Sequence, residues 1–242
     1  MVTMTEQQTR ADWWLRAQVF VTAVAVAIEA AATLSTLWQR SGQIPVTVLC
    51  FVATVSPILV PRASQFRAAC LVIGNILLLV GLFGLLWLWI YALMYVTPVL
   101  VAGCALVGTG TAVRAEQRTG PVPVVDRVVL LIVAVSAGAA LAETALLSPS
   151  WHQTPIGVAG WGALALLPLV FRDRHRFRVA GLVAGVGLVL VYLSQPSATP
   201  VLAGGVAVVL VCSGGPRSTR GMALTAIGIS WLVPLLQLVY RN

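Results

Sequence analysis

Lysine is missing from this chain of 242 residues, and acidic side chains are scarce. All fifteen basic residues are Arg, only seven residues are acidic, and charged residues make up 9% of the total. Soluble globular domains carry charge on roughly a quarter of their residues, whereas 59% of this chain is hydrophobic and its mean hydropathy is +0.96. The composition therefore excludes an ordinary soluble domain and predicts an integral membrane protein.

Sequence motifs of common enzymes and metal sites are also missing. The chain has no phosphate-binding loop, no HExxH, no G-x-S-x-G and no paired Asp-rich motif, which argues against phosphoryl transfer and ATP-driven work. No CxxC spacing occurs, so the four Cys are predicted to be small buried hydrophobic residues. His152 and His175 fall in loops predicted on opposite sides of the membrane. We therefore predict neither a metal nor a cofactor.

The basic balance of the chain indicates membrane topology and not a nucleic-acid partner. The net charge is +8 and the pI is near 10.4, but the Arg residues sit at the ends of apolar runs and form no basic, aromatic face. If the N-terminus is cytoplasmic, thirteen of the fifteen Arg fall on the inside, as the positive-inside rule requires. The absence of Lys beside abundant Ala, Val, Leu and Gly suggests a bacterial source, and hence a bacterial plasma membrane.

Short polar segments divide the chain into nine apolar runs, and each run is a predicted transmembrane helix. With the N-terminus inside, nine helices place the C-terminus outside. The first run is too long for the apolar region of a signal peptide, so we expect no cleavage there. The nine predicted spans are 17–38, 45–61, 68–90, 97–113, 127–147, 155–171, 178–194, 199–214 and 221–240.

An internal duplication organises these helices. FRAACLVIGNILLLV, starting at Phe66, matches FRVAGLVAGVGLVLV, starting at Phe177, at nine of fifteen positions. At the same offset of 111, Pro57 falls on Pro168, and further on TPVL occurs in both copies. We predict an all-α fold of two four-helix repeats, and because four is even the copies are parallel. The predicted units are 1–118, 119–216 and a C-terminal helix in 217–242.

Two acidic residues lie inside apolar runs, Glu29 in AVAIEAAATL and Glu143 in GAALAETALL. An ionisable group at membrane depth costs at least a few kcal/mol and marks a candidate functional site. An offset of 114 pairs the two acids if one outer loop is three residues longer, which makes them one duplicated acid. The alternative is that each Glu bonds a neighbouring helix and stabilises packing, since small residues at a spacing of four surround both.

Three further residues are candidates for lining a ligand. Trp161 and Trp231 lie deeper in their predicted helices than the other Trp residues, which gather at the membrane interfaces. Asn75 is polar at membrane depth but aligns with Val186 in the second copy, so it is not part of the duplicated design. A packing hydrogen bond is the alternative role for Asn75.

The segments SPILVPRASQFRAA and LPLVFRDRHRFRVA, in which Pro, an apolar stretch and Arg precede a new helix, resemble the N-terminal membrane regions of actinobacterial sensor histidine kinases. The resemblance covers both repeats loosely. It implies a relative of the sensing or membrane-embedding part of those kinases, because no phosphoacceptor His box or ATP-binding domain follows in this sequence.

These observations lead to one main hypothesis and two alternatives. The main hypothesis is a non-catalytic multi-pass protein in a sensing, transport-accessory or immunity-type role for a small hydrophobic ligand. One alternative is an intramembrane enzyme, such as a terpene cyclase, with Glu29 and Glu143 as candidate catalytic acids; the other is a proton-coupled carrier. The expected partners are membrane lipid, a small hydrophobic ligand and a membrane protein.

Overall fold

The computed structural model describes residues 13–28, 44–88, 93–112, 121–147, 155–194 and 199–241. Within these ranges the chain forms nine α-helices and no strand, which confirms the all-α prediction. Two short 3-10 helices, Ser56–Leu59 and Leu167–Val170, follow the second and sixth α-helices. The α-helices are α1 Trp13–Ile28, α2 Ile44–Val55, α3 Ala63–Leu88, α4 Leu93–Ala112, α5 Val124–Leu147, α6 Pro155–Leu166, α7 Arg174–Ser194, α8 Thr199–Cys212 and α9 Arg217–Arg241.

Most of the helices begin earlier than the apolar runs predicted, and three of them, α3, α7 and α9, begin with an arginine-bearing turn. The predicted starts at 68, 178 and 221 became Ala63, Arg174 and Arg217. Hydropathy measures the preference for lipid, whereas Arg is a good helix former in water or at an interface. At α7, the Asp173 carboxylate accepts the Arg176 backbone N–H at 3.1 Å, which satisfies one of the donors that a helix start leaves unpaired.

The turns that follow α2 and α6 share one local geometry. In each, the α-helix tightens into a 3-10 helix that has Pro in its first turn, Pro57 or Pro168. Each proline carbonyl accepts a backbone N–H three residues on, from Val60 or Phe171, at 3.1 Å in both places. Proline lacks an N–H and cannot continue the α-helical ladder, so the chain turns there.

The pairs α3/α4 and α7/α8 pack as antiparallel helices through glycine contacts. A Cβ placed on Gly185 would lie 2.7 Å from the Gly205 carbonyl oxygen, and one on Gly205 would lie 2.8 Å from the Gly185 oxygen. In the first pair, a Cβ on Gly103 would lie 3.0 Å from the Gly74 oxygen. The backbones approach too closely for any other residue, which is a common way for helices to pack in membranes.

The helices α4 and α8 form the centre of the bundle. Residues 99–110 and 200–213 are buried on every side. A helix at the surface of a bundle, by contrast, buries one face only. Helix α9 packs against both central helices, and α5 packs along α8. The largest apolar cluster joins side chains from α1, α4, α5, α7, α8 and α9, so one core holds both halves of the chain.

The outer faces of the bundle are strongly apolar. Two helices, in the stretches Ser64–Leu86 and Val124–Ala142, are long and apolar enough to cross a membrane. Only 22% of the first window and 44% of the second are buried in the bundle. Large side chains such as Leu79, Phe83 and Leu86 are 67%, 65% and 78% exposed.

Candidate functional site

Arginine side chains collect at one end of the bundle, which we call the basic end. The contacts described below bring together the starts of α1, α5, α7 and α9 and the ends of α4 and α8. Helices α3 and α7 also begin at this end, since their antiparallel partners end there. The basic end contains ten described Arg and two described acids, Asp126 and Asp173; the Arg residues are Arg16, Arg62, Arg67, Arg127, Arg172, Arg174, Arg176, Arg178, Arg217 and Arg220.

The Arg16 guanidinium holds the turn between α2 and α3. It donates to the carbonyl oxygens of Ile58 at 2.9 Å, Val60 at 2.7 Å and Pro61 at 2.9 Å. It also lies 5.5 Å from the centre of the Phe66 ring, a distance that permits cation–π attraction. These carbonyls follow the proline, where the helical ladder has ended, so the arginine supplies donors that the backbone cannot.

A matching bond occurs in the second half. Arg127 donates to the Phe171 carbonyl oxygen at 3.5 Å, and both this bond and the Arg16–Val60 bond span 44 positions. Arg127 follows Arg16 by 111 positions, the offset that separates Pro168 from Pro57. The start of the first helix in each half is therefore held to the proline turn at one common register.

A buried ion pair ties α9 to α5. Arg220 Nε donates to Asp126 Oδ1 at 2.5 Å, and the aspartate side chain is 1% exposed against 20% for the arginine. The second carboxylate oxygen, Oδ2, is buried and finds no partner among the described residues. Asp126 is not among the site residues predicted from the sequence. The only signal was an acid in VVDRVV at a helix start, and its partner lies 94 positions away.

Hydroxyl groups mark the ends of α4 and α8 at corresponding places. Thr111 donates to the Gly108 carbonyl oxygen at 2.9 Å, and Ser213 donates to the Leu210 oxygen at 2.6 Å. Aligning the two TPVL segments sets an offset of 102, which places Ser213 on Thr111 and Leu210 on Gly108. Thr111 additionally lies 3.0 Å from the hydroxyl of Thr219 on α9.

A small cavity at the basic end lies where α1 meets α7 and α8. Its volume is about 10 Å³, room for about one water molecule. The side chain of Gln18 is 5% exposed, and its Oε1 atom accepts no hydrogen bond within the part of the chain that the structure describes. Its polar lining residues are Gln18, Arg178 and Ser213, beside Trp14. We call this space the Gln18 cavity.

A second cavity of about 10 Å³ lies farther from the basic end. It is lined mainly by apolar residues of α1, α4 and α8, with Thr97 as the polar member. Ala25 and Val26 form its α1 side. Glu29 follows these two residues in the sequence but lies outside the described residues, so the place of its carboxyl group is not assigned.

The second predicted acid, Glu143, belongs to α5, but its side chain lies outside the described residues. The register set by Arg16 and Arg127 still bears on how the acids correspond. In that register Glu29 aligns with Ala140, and Glu143 aligns with Ala32. Arg16 to Pro57 and Arg127 to Pro168 each span 41 positions. The pairing of Glu29 with Glu143 at an offset of 114 stays a prediction, since Glu29 and the Glu143 side chain lie outside the described residues.

The other candidate residues are not brought together. Trp161 on α6 is 39% exposed. Trp231 on α9 donates its indole N–H to the Ser136 hydroxyl on α5 at 2.5 Å. Asn75 on α3 is exposed and donates to the Leu71 carbonyl of its own helix at 2.7 Å. None of the three lines either cavity, and the Trp231 bond links two helices.

Cysteine and histidine form no metal centre in the described ranges. No group of three His, Cys, Asp or Glu side chains there has the proximity that a metal ion needs. Each cysteine is buried and unbridged, which confirms the prediction that they act as small apolar side chains. His175 packs edge-on against Trp14 with ring centres 6.1 Å apart.

In three comparisons, no family model matches this chain, and neither a curated protein nor a solved structure matches it.

Proposed function

We propose that this chain is a multi-pass protein of a bacterial plasma membrane, with its N-terminus in the cytoplasm. It has about nine transmembrane helices in two parallel repeats, 1–118 and 119–216, followed by one further helix. It acts without catalysis, in a sensing, transport-accessory or immunity-type role toward a small hydrophobic ligand. The observation that carries the membrane placement is an apolar outer surface bounded by arginines at one end.

The exposed apolar surface is too large for a water-soluble monomer. Soluble proteins rarely expose contiguous apolar patches above several hundred Å². A core helix of a soluble protein would be mostly buried, yet the apolar window of α3 is only 22% buried. Helix α3 has 26 residues, about 39 Å at about 1.5 Å per residue, which spans a hydrocarbon core of about 30 Å. Lipid is the solvent that suits such a face.

The position of the arginines supports the orientation. They surround the end where α1, α5, α7 and α9 begin, and the positive-inside rule assigns that end to the cytoplasm. Arg16, Arg127 and Arg220 are bonded there to backbone carbonyls or to Asp126, so part of this charge also holds the turns in place.

Four details support the duplication. The proline turns, the Arg-to-carbonyl bonds, the glycine contacts and the hydroxyl caps recur at constant offsets. Gly185 follows Gly74 by 111 positions, and Gly205 follows Gly103 by 102, so the two close helix contacts use corresponding residues. Random matches in sequence would not reproduce contacts between the same pairs.

The interior supports a role without catalysis. The indole N–H of Trp231 is bonded to Ser136 and does not face a substrate space. The resemblance to the membrane regions of sensor histidine kinases belongs to this proposal, and the proline-to-arginine turns carry it.

The topology has a direct test. In a background with the four buried cysteines replaced by Ala, a single cysteine is placed at Ser218, exposed at the start of α9, or at Ser197, between α7 and α8. In intact cells, an impermeant maleimide is expected to label Ser197→Cys and not Ser218→Cys. Lysis should make both reactive. Labelling of Ser218→Cys in intact cells, or recovery of the protein in the soluble fraction, would overturn the membrane orientation.

The role of the two acids has a second test. Replacing Glu29 and Glu143 together by Gln is expected to preserve expression and membrane insertion while reducing complementation of a deletion strain, because Gln keeps the shape and removes the titratable group. The matched control is Asn75→Leu, which removes an exposed polar side chain that bonds its own helix. Full complementation by a variant with Leu at both acids would show that neither acid is needed, and a cyclised product from prenyl substrates would contradict the non-catalytic role.

A further inference from the structure

The Gln18 cavity has a counterpart in the other half of the molecule, and the two places are filled differently. Leu15 and Ser213 line the cavity. Leu15 aligns with Asp126 at the offset of 111, and Ser213 aligns with Thr111 at the offset of 102. Those two residues contact the start of α9, through the Arg220–Asp126 ion pair and the Thr219–Thr111 contact. Helix α9 therefore brings a hydroxyl and a guanidinium to the place that corresponds to the cavity.

Among the described residues no second copy of α9 fills the Gln18 cavity, and a whole helix would not fit beside it. In the described part of the chain, the surfaces of α4 and α8 are already buried over residues 99–110 and 200–213. What remains is a space of about 10 Å³, which accommodates a single non-hydrogen atom with its protons. The occupant is therefore one small group that enters at the basic end.

The chemistry of the lining selects a hydrogen-bond donor. The side chain of Gln18 is only 5% exposed, and its Oε1 acceptor has no partner among the described residues. A buried acceptor left unpaired costs about 1–3 kcal/mol. The corresponding residue of the other half is Val129, so the polar group is particular to this cavity. A hydroxyl or an ammonium group supplies the missing donor.

The charge around the cavity favours a hydroxyl over an ammonium group as the donor. Arg178 lines the same cavity, and a Cβ on Gly214 would lie 3.3 Å from the Arg174 side chain, so Arg174 and Arg178 flank the turn that ends α8. The basic end contains ten described Arg and two described acids, so an ammonium group would be disfavoured there, whereas a neutral hydroxyl would not. A phosphate attached to that hydroxyl by a short linker would lie toward the guanidinium groups, with which phosphates form charge-assisted hydrogen bonds.

We propose that the Gln18 cavity binds the terminal hydroxyl of an anionic phosphoglycerol headgroup, with the phosphate held beside Arg178. Basic pockets between helices on the cytoplasmic side of a membrane bind anionic lipid headgroups, and a phosphatidylglycerol lipid carries both groups. The proposal rests on the membrane placement proposed above. In this site the headgroup hydroxyl takes the role that the Thr219 hydroxyl has in the other half.

The test uses the full chain, purified in detergent and delipidated. Equal amounts of phosphatidylglycerol and phosphatidylethanolamine are added, and native mass spectrometry gives the ratio of the two bound lipids. The wild type is expected to favour phosphatidylglycerol. Gln18→Met, which keeps the length and removes the acceptor, should lower the ratio about fivefold, the effect of one neutral hydrogen bond. The control Gln65→Met changes an exposed glutamine at the start of α3 and should leave the ratio unchanged.

A second pair of variants keeps the test decisive if Gln18→Met folds poorly. Arg178→Gln should weaken phosphatidylglycerol binding, while Arg67→Gln, at the corresponding position of the first half, should not. Equal binding of the two lipids by the wild type, or equal effects of the paired variants, would overturn the proposal. Soluble glycerol phosphate should raise the thermal stability less than the lipid does; an equal rise would overturn the lipid source. Labelling at Ser197→Cys and Ser218→Cys reports the membrane placement separately, so the two failures are distinguishable.

Discussion

Asp126 is a buried carboxylate at the start of a helix, and only one of its oxygens is paired. Desolvation of a charge is offset only when a partner of opposite charge lies close with good geometry. The Arg220 guanidinium provides that partner, and the first turn of α5 provides a favourable dipole for an acid. Because the pair joins α5 to α9, it fixes the start of α9 to the start of α5.

The ion pair predicts an asymmetric mutant cycle. Replacing Arg220 by Met should lower the free energy of unfolding by about 3–5 kcal/mol, because it leaves the Asp126 carboxylate buried and unpaired. The double variant, Asp126→Leu with Arg220→Met, should recover most of that loss, since both charges are then removed. Chemical denaturation in detergent measures both values. Arg217→Met, at an exposed arginine one turn earlier in α9, is the control and should change stability little. Equal stability of wild type and Arg220→Met would contradict the assigned pairing.

Gln18 and Asp126 were both missed by inference from the sequence. Each is a single polar residue in an apolar run or beside an arginine, and their importance comes from partners or neighbours distant in the chain. The signal for Gln18 was a glutamine inside an otherwise apolar helix. Nothing local indicated that its side chain would line a cavity together with residues of α7 and α8.

At the level of helices, packing depends on where two backbones meet. The glycines of α7 and α8 touch each other's carbonyl groups, while Gly138 on α5 has no atom within 4 Å of its Cβ position. The same residue type thus has opposite roles in neighbouring helices. At a contact it permits close approach, and elsewhere it only weakens the helix.

These contacts predict opposite effects of one substitution. Gly185→Ala should destabilise the protein by about 1–3 kcal/mol, because the added methyl would overlap the Gly205 carbonyl and force the helices apart. Gly138→Ala should be neutral or stabilising by up to about 1 kcal/mol, the difference in helix propensity. Thermal unfolding in the same detergent compares the two variants. A stabilising Gly185→Ala would show that the α7/α8 contact is looser than the structure gives it.

Helix starts were the least accurate part of the sequence prediction for these elements. The apolar runs located the helices because each run must be long enough to face lipid. They placed the starts of α3, α7 and α9 too late, since an arginine-bearing turn is polar and still helical. The 3-10 turns at Pro57 and Pro168 were also not predicted, although both prolines were recognised as equivalent.

For the whole molecule, the arrangement is a closed bundle with an apolar outside and a basic end. Buried small residues fill the centre, and large side chains such as Leu79 and Phe83 face outward. Large apolar side chains are also buried, among them Phe66 and Phe177, so this protein carries large apolar residues both inside and outside, whereas a soluble protein preferentially buries them. The exposed apolar surface therefore limits the environment in which this protein is stable more than any single residue does.

The surface predicts where charge is tolerated. Leu79→Arg, at a 67% exposed position in the middle of α3, should reduce membrane insertion by a cost of about 2.5–3.5 kcal/mol for arginine at a helix centre. Ser64→Arg, at an exposed position in the first turn of α3, should insert normally because that turn lies at the basic end. Carbonate extraction and glycosylation-mapped insertion measure the difference. Normal insertion and stability of Leu79→Arg would contradict a lipid-facing α3.

The composition and the polar segments between apolar runs were enough to predict an all-helical chain and the approximate location of each helix. Those properties are local, since each helix satisfies its own backbone and each run reports its own hydropathy. Which arginine bonds which carbonyl, which arginine pairs with Asp126, and which helices surround Gln18 are properties of residues distant in the sequence. Only the packing of α1, α8 and α9 decided them, because contact between helices depends on register and rotation, which hydropathy does not encode.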